Sequence, residues 1–129
     1  MKKVLLIDDD PVIGTTYGRK LRTAGYDVHV VGDGTEGLLA LKDFRPDVVL
    51  LDLDMPGING VEWLREIRSY PTLKHLPVVV LSAGSNGWQM RAAWESDAMY
   101  VLSKAVTAPD AVLQAVEDAA TIGYWPQHH

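Results

Sequence analysis

Three unbroken apolar runs constrain this chain more than any other feature: Val4-Leu5-Leu6-Ile7, Val48-Val49-Leu50-Leu51 and Val78-Val79-Val80-Leu81. Strands covered on one face alternate apolar and polar residues; strands covered on both faces are apolar throughout. The runs therefore read as parallel strands buried between layers of helix. Val48 to Leu51 is the most uniformly apolar and is assigned to the centre of the sheet.

Amphipathic stretches separate the runs. Pro11 suits a first helical turn, and Val12, Ile13, Tyr17, Leu21 and Ala24 recur at helical spacing until Gly25. Val28 to Val31 reads as a second strand. Gly34 to Phe44 reads as a helix with Leu38, Leu39 and Leu41 as its buried stripe. Ile58 to Tyr70 is a third helix, carrying Val61, Leu64, Ile67 and Arg68. A weaker helix spans Asn86 to Glu95, and Met99 to Leu102 is a fifth strand. Pro109 opens a last helix with Ala111, Val112, Ala115, Val116 and Ala119 facing inward. Five strand-then-helix repeats with short connections imply right-handed crossovers and a doubly wound α/β sheet. At 129 residues the chain fits one domain. We assign it residues 1–122, with 123–129 as a tail whose His128 and His129 are either native or tag-derived.

Composition narrows the function classes. A formal net charge of −5 argues against a non-specific nucleic-acid or membrane surface. The absence of cysteine excludes disulfides and thiolate metal sites and favours a reducing compartment. The first apolar run is too short for a signal peptide or a membrane span. The four histidines show no metal-ligand spacing.

Ligands of such sheets sit beyond the carboxyl ends of the strands. Asp8, Asp9, Asp52, Ser82 and Lys104 all fall there. Three acids on one edge repel unless a cation lies among them, which points to a hard divalent metal and acyl-phosphate chemistry. A plainer reading makes Asp8, Asp9 and Asp10 acids at a helix N-terminus; Asp10, before Pro11, fits that role best. Ser82 alone could be a loop hydroxyl, and a lone lysine is usually a solvated charge. The Asp54 side chain is expected to face solvent. Trp88 and Trp94, on the weak helix, suit either core packing or a partner surface.

Val4-Leu5-Leu6-Ile7-Asp8-Asp9-Asp10-Pro11 resembles the opening of receiver domains of bacterial two-component response regulators, of the chemotaxis-regulator type. Leu50-Leu51-Asp52-Leu53-Asp54-Met55-Pro56-Gly57-Ile58-Asn59-Gly60 resembles their phosphoacceptor segment. Pro77 to Ala83 and Leu102-Ser103-Lys104 resemble the ends of their fourth and fifth strands. The likeness runs from about Lys3 to Thr121. It implies a flavodoxin-like three-layer αβα fold with five parallel strands in the order 2-1-3-4-5 and five helices. It also implies that Asp52 accepts a phosphoryl group, with Asp8, Asp9, Asp52 and the backbone carbonyl of Asp54 holding Mg²⁺ or Mn²⁺. Lys104 would then pair with the phosphoryl oxygens and Ser82 would hydrogen-bond one of them. The Ser82 hydroxyl would pull on the loop Ala83-Gly84-Ser85-Asn86-Gly87 and shift the fourth helix, fifth strand and fifth helix.

The implied partners are a sensor histidine kinase or a histidine phosphotransfer protein, and an unknown downstream protein. A homodimer through the fourth helix, fifth strand and fifth helix is a further implied assembly. No direct nucleic-acid or membrane contact is expected, the location is cytoplasmic, and the chain is no enzyme beyond its own phosphorylation and dephosphorylation. Three residues depart from the pattern. Ala105 replaces the proline after Lys104. Val101 stands in place of an aromatic, with Tyr100 beside it on the opposite face. Asp97 replaces a glycine. Two alternatives remain at this point: a haloacid-dehalogenase-like phosphatase built on Asp52-Leu53-Asp54, and a phosphate-independent pseudo-receiver.

Overall fold

The computed structural model describes residues 1–55, 57–83 and 87–123. Its strands are β1 (Lys3–Ile7), β2 (Asp27–Val31), β3 (Val48–Asp52), β4 (Val78–Ser82) and β5 (Tyr100–Ser103). Its helices are α1 (Pro11–Thr23), α2 (Gly34–Phe44), α3 (Gly60–Arg68), α4 (Gly87–Glu95) and α5 (Pro109–Ile122). The strands form one sheet in the order β2-β1-β3-β4-β5, and every neighbouring pair is parallel. This is the flavodoxin-like order that the sequence resemblance implies. Pro56, residues 84–86 and the expected tail from 124 onward lie outside the described residues.

Strand alternation splits the core into two layers. Leu5, Ile7, Val49, Leu51, Val78 and Val80 meet Leu41 of α2, Trp63, Leu64 and Ile67 of α3, and Ala93 of α4. Val4, Leu6, Val48, Leu50, Val79 and Leu81 meet Leu21 of α1 and Val112 and Val116 of α5. Both faces of β1, β3 and β4 are thus covered, which is why their sequences lack alternation.

Local chemistry sets the helix boundaries. Asp10, Asp33 and Asn59 each accept a hydrogen bond from a first-turn N–H. Asn59 and Glu62 bond reciprocally, Glu62 N–H to Asn59 Oδ1 at 3.0 Å and Asn59 Nδ2 to Glu62 Oε1 at 2.7 Å. That pairing starts α3 at Gly60 rather than at the expected Ile58. A Cβ on Gly60 would stand 2.5 Å from Leu53 Cα, so only glycine lets α3 begin this close to the end of β3.

Four inward assignments need correction. Leu39 is 70% exposed, because the buried stripe of α2 runs through Gly37, Ala40 and Leu41. Val12 is equally exposed and Ala24 is exposed at the C-cap, since α1 buries Gly14, Gly18 and Leu21. Cβ atoms at Gly14 and Gly18 would lie 3.1 and 3.3 Å from Val30, so the glycines bring α1 close to β2. Ala111 is exposed, and the inner face of α5 begins at Val112. Asp97 takes φ 63°, a left-handed conformation that glycine adopts more readily. Arg68 steadies that turn by donating to the carbonyls of Ser96, Asp97 and Leu73 at 3.1, 2.9 and 2.9 Å.

Candidate functional site

The strand register brings the polar strand ends to one edge. Ile7 pairs with Leu51, Asp52 with Leu81, and Ser82 with Ser103. Asp8 follows β1 directly, Asp52 ends β3, Ser82 ends β4, and Lys104 follows β5. Asp8, Asp52 and Ser82 are buried, and Asp9 is exposed at the rim. One carboxylate oxygen each from Asp8, Asp9 and Asp52 lies within 4.8 Å of the others.

Backbone turns aim the two buried acids. Asp10 N–H donates to Asp8 Oδ1 at 2.9 Å, and Asp54 N–H donates to Asp52 Oδ1 at 2.9 Å. Each aspartate therefore closes a small turn over the residue two positions on. Lys104 Nζ reaches the same Asp52 oxygen at 2.9 Å and lies 3.5 Å from Asp8 Oδ2. Lys104 N–H also donates to Ser82 O at 2.8 Å, extending the β4–β5 pairing past the strand. The Lys104–Ala105 peptide is trans. Ser103 supports this corner, its side-chain oxygen accepting from Ala105 N–H at 3.2 Å and its carbonyl from Thr107 N–H at 3.0 Å.

The electrostatics are those of a crowded acid pocket with one cation. Burial pushes the Asp52 carboxyl up to about 6, and the Asp8 charge adds to the rise. The Asp54 amide and Lys104 pull the other way without overcoming it. Burial alone would lower the Lys104 pKa, but the hydrogen bond and charge of Asp52, with the charge of Asp8, hold it above its ordinary value. Among the described residues, buried Asp8 Oδ2 has no hydrogen-bond partner and keeps the longer ion-pair contact with Lys104 at 3.5 Å. A buried carboxylate oxygen left this way, beside two other acids, suits a hard divalent cation, which prefers a few carboxylates and several waters.

Two contributions were not legible in the sequence. Tyr17 of α1 lies near enough to feel Lys104 and Asp8, although burial is the main cause of its raised pKa. Asp54 is exposed, as expected, yet its Oδ2 accepts from Ala83 N–H at 2.8 Å. Its partner is 29 residues away, so no local pattern announces the contact. Tyr100 packs on the α1/α5 side and Val101 on the side of α2, α3 and α4, the opposition that strand alternation requires.

Acids at the ends of β1 and β3 facing a lysine after β5 define a carboxylate-and-ammonium site at the switch point of a doubly wound sheet. The family pattern of the response regulator receiver domain matches residues 4–117. The chain belongs to that family. It is 37% identical over 97 residues to the DNA-binding response regulator MtrA of Mycolicibacterium smegmatis, a match covering 75% of this chain and 41% of that protein. It is 28% identical to the gliding motility regulatory protein of Myxococcus xanthus, covering 89% of this chain and 15% of the relative. The chain therefore spans less than half the length of these relatives.

Among solved structures it is similar to the receiver domain of the Francisella response regulator 1452. There the TM-score is 0.85 and the identity 27%, covering 95% of this chain and 98% of that one. It is also similar to the chemotaxis response regulator CheY4 of Vibrio cholerae, with a TM-score of 0.83 and 28% identity, covering 92% and 98%. Receiver domains of this family are in general signalling switches. No helix among the described residues is long and apolar enough to cross a membrane.

Proposed function

We propose that this chain is a phosphoacceptor switch, with residues 1–122 as the receiver domain and Asp52 as the residue that is phosphorylated. The observation that carries the reading is Lys104 Nζ at 2.9 Å from a buried Asp52 whose neighbours are Asp8 and Asp9. Asp52 Oδ1 is engaged by Asp54 N–H and by Lys104, so we assign the attack to the other oxygen. That oxygen attacks the phosphorus of a phosphohistidine on a sensor kinase or a phosphotransfer protein. The P–O bond forms as the P–N bond breaks, and the imidazole leaves. Hydrolysis of the acyl phosphate later returns the carboxylate and releases inorganic phosphate.

Asp8, Asp9, Asp52 and the Asp54 carbonyl would hold Mg²⁺ or Mn²⁺, which supplies charge neutralisation for the approaching phosphoryl group. Lys104 takes phosphoryl charge on the β5 side, and Ser82 offers its hydroxyl to a phosphoryl oxygen. Such catalysis is positioning plus electrostatics. The output surface we assign to α4, β5 and α5, where Trp88 is 56% and Trp94 44% exposed. It would receive a downstream protein or a second copy of the chain, in the cytoplasm. The phosphatase alternative gains no support from the family match, and the pseudo-receiver alternative leaves the complete acid set unused.

The test is intact mass after acetyl phosphate treatment with Mg²⁺. We expect the gain of one phosphate, lost with a chelator and lost in Asp52→Asn. A gain that survives Asp52→Asn would sink the assignment. Steady turnover of a phosphate monoester would favour the phosphatase.

A further inference from the structure

Asp54 joins the phosphoacceptor turn to the segment after β4. Its N–H donates to Asp52 Oδ1 at 2.9 Å, and its own Oδ2 accepts from Ala83 N–H at 2.8 Å. Ala83 directly follows Ser82 and begins the connection from β4 to α4. The hydrogen bonds thus run from Asp52 through Asp54 to Ala83 and cross from β3 to the next strand's exit. Both Asp54 and Ala83 are exposed.

We propose that the Asp54 carboxylate is a latch: it fastens the exit of β4 to the Asp52 turn in the resting chain, and phosphorylation of Asp52 opens it. A phosphoryl group brings about −1.5 to −2 charges and three strong acceptor oxygens. Placed on Asp52, it repels the Asp54 carboxylate two residues on and competes for the donor which that carboxylate holds. Loss of the Ala83 bond releases the exit of β4 from the Asp52 turn. Opening by phosphate rests on the phosphoacceptor reading above; the resting latch does not.

The experiment compares the unphosphorylated starting protein with Asp54→Ala and Asp54→Asn. It then reads the starting protein again after labelling by acetyl phosphate, when Ala83 exchange should rise toward the Asp54→Ala rate; an unchanged rate overturns opening by phosphate. NMR reads the solvent-exchange rate of the Ala83 amide. We expect a rise of about tenfold in Asp54→Ala, the loss of one charge-assisted hydrogen bond. In Asp54→Asn the side-chain oxygen still accepts, so exchange stays within about twofold of the starting protein. Labelling of Asp52 by acetyl phosphate should accelerate in the same order. Equal Ala83 exchange in all three proteins overturns the latch. So does labelling that rises equally in both variants, which would make Asp54 a charge screen and no more. If none of the proteins is labelled while the exchange order holds, the phosphoacceptor reading fails, and opening by phosphate with it, but the resting latch is upheld.

Discussion

β3 ends in Asp52 and β5 leads into Lys104, yet the chain supports the two partners in opposite ways. Every residue of β3 is buried, as is every residue of β4 beside it. Every residue of β5 is only partly buried, and it lies at the sheet edge. The acceptor side therefore sits on the best-packed part of the molecule, where local opening costs most. The proposed responding side sits on an edge strand, beside a helix that carries two exposed tryptophans. A switch needs this asymmetry. The charged group must be held still, and the element that reports it must have a second arrangement within reach.

Gly60→Ala should give the largest effect and tests the acceptor side. The new Cβ would stand 2.5 Å from Leu53 Cα and 2.7 Å from Asp52 O. Both are backbone atoms, so relief requires moving the end of β3 or the start of α3. We expect a loss of about 3 kcal/mol or more by urea unfolding. A loss below about 1 kcal/mol would show that the acceptor side yields as easily as the edge, and the contrast would be gone.

Asp52→Asn should come next, with the opposite sign. The folded state raises this carboxyl from 3.8 to about 6, so it binds the proton more tightly than the unfolded chain does. The contribution to stability is complete below the ordinary carboxyl range and is lost as pH rises through 6. At pH 7 the buried charge is a cost, and the neutral amide removes it. Lys104 loses its partner in the same step, which trims the gain. We expect Asp52→Asn to be more stable by about 1–2 kcal/mol at neutral pH without divalent metal, converging on the starting protein near pH 4. The opposite ranking at neutral pH would mean that the Lys104 pair outweighs burial and the Asp8 charge.

The same asymmetry decided what the sequence disclosed. β1, β3 and β4 were readable because burial on both faces leaves no polar residue inside them. The bounds Gly34–Phe44 were readable, but the place of Leu39 was not, since a stripe of Gly37, Ala40 and Leu41 leaves it outside. Small residues mark a close approach as surely as large ones mark a core, and a count of leucines overlooks them. Trp63, fully buried between sheet and helices, was missed for the reverse reason: tryptophan in an amphipathic helix reads as a boundary residue. The strand-end acids and Lys104 could be found from position alone. The Asp54–Ala83 contact could not, because only the folded register brings the two together.

Trp88→Ala should give the smallest change in stability and the sharpest test of the responding side. Trp88 is 56% exposed on α4, so truncation removes little buried area, and we expect a change within about 0.5 kcal/mol in urea. A large aromatic held mostly in water adds little to folding, and aromatic anchors on a surface often carry binding energy instead. If α4, β5 and α5 form the output surface, Trp88→Ala should leave acetyl phosphate labelling of Asp52 unchanged. It should also remove any phosphorylation-dependent self-association seen by analytical ultracentrifugation in the starting protein. A destabilisation above about 2 kcal/mol would place Trp88 in the fold rather than on the surface. The responding side would then be as firmly built as the acceptor, and the transmission of phosphate would have to be sought in the connection between β4 and α4 alone.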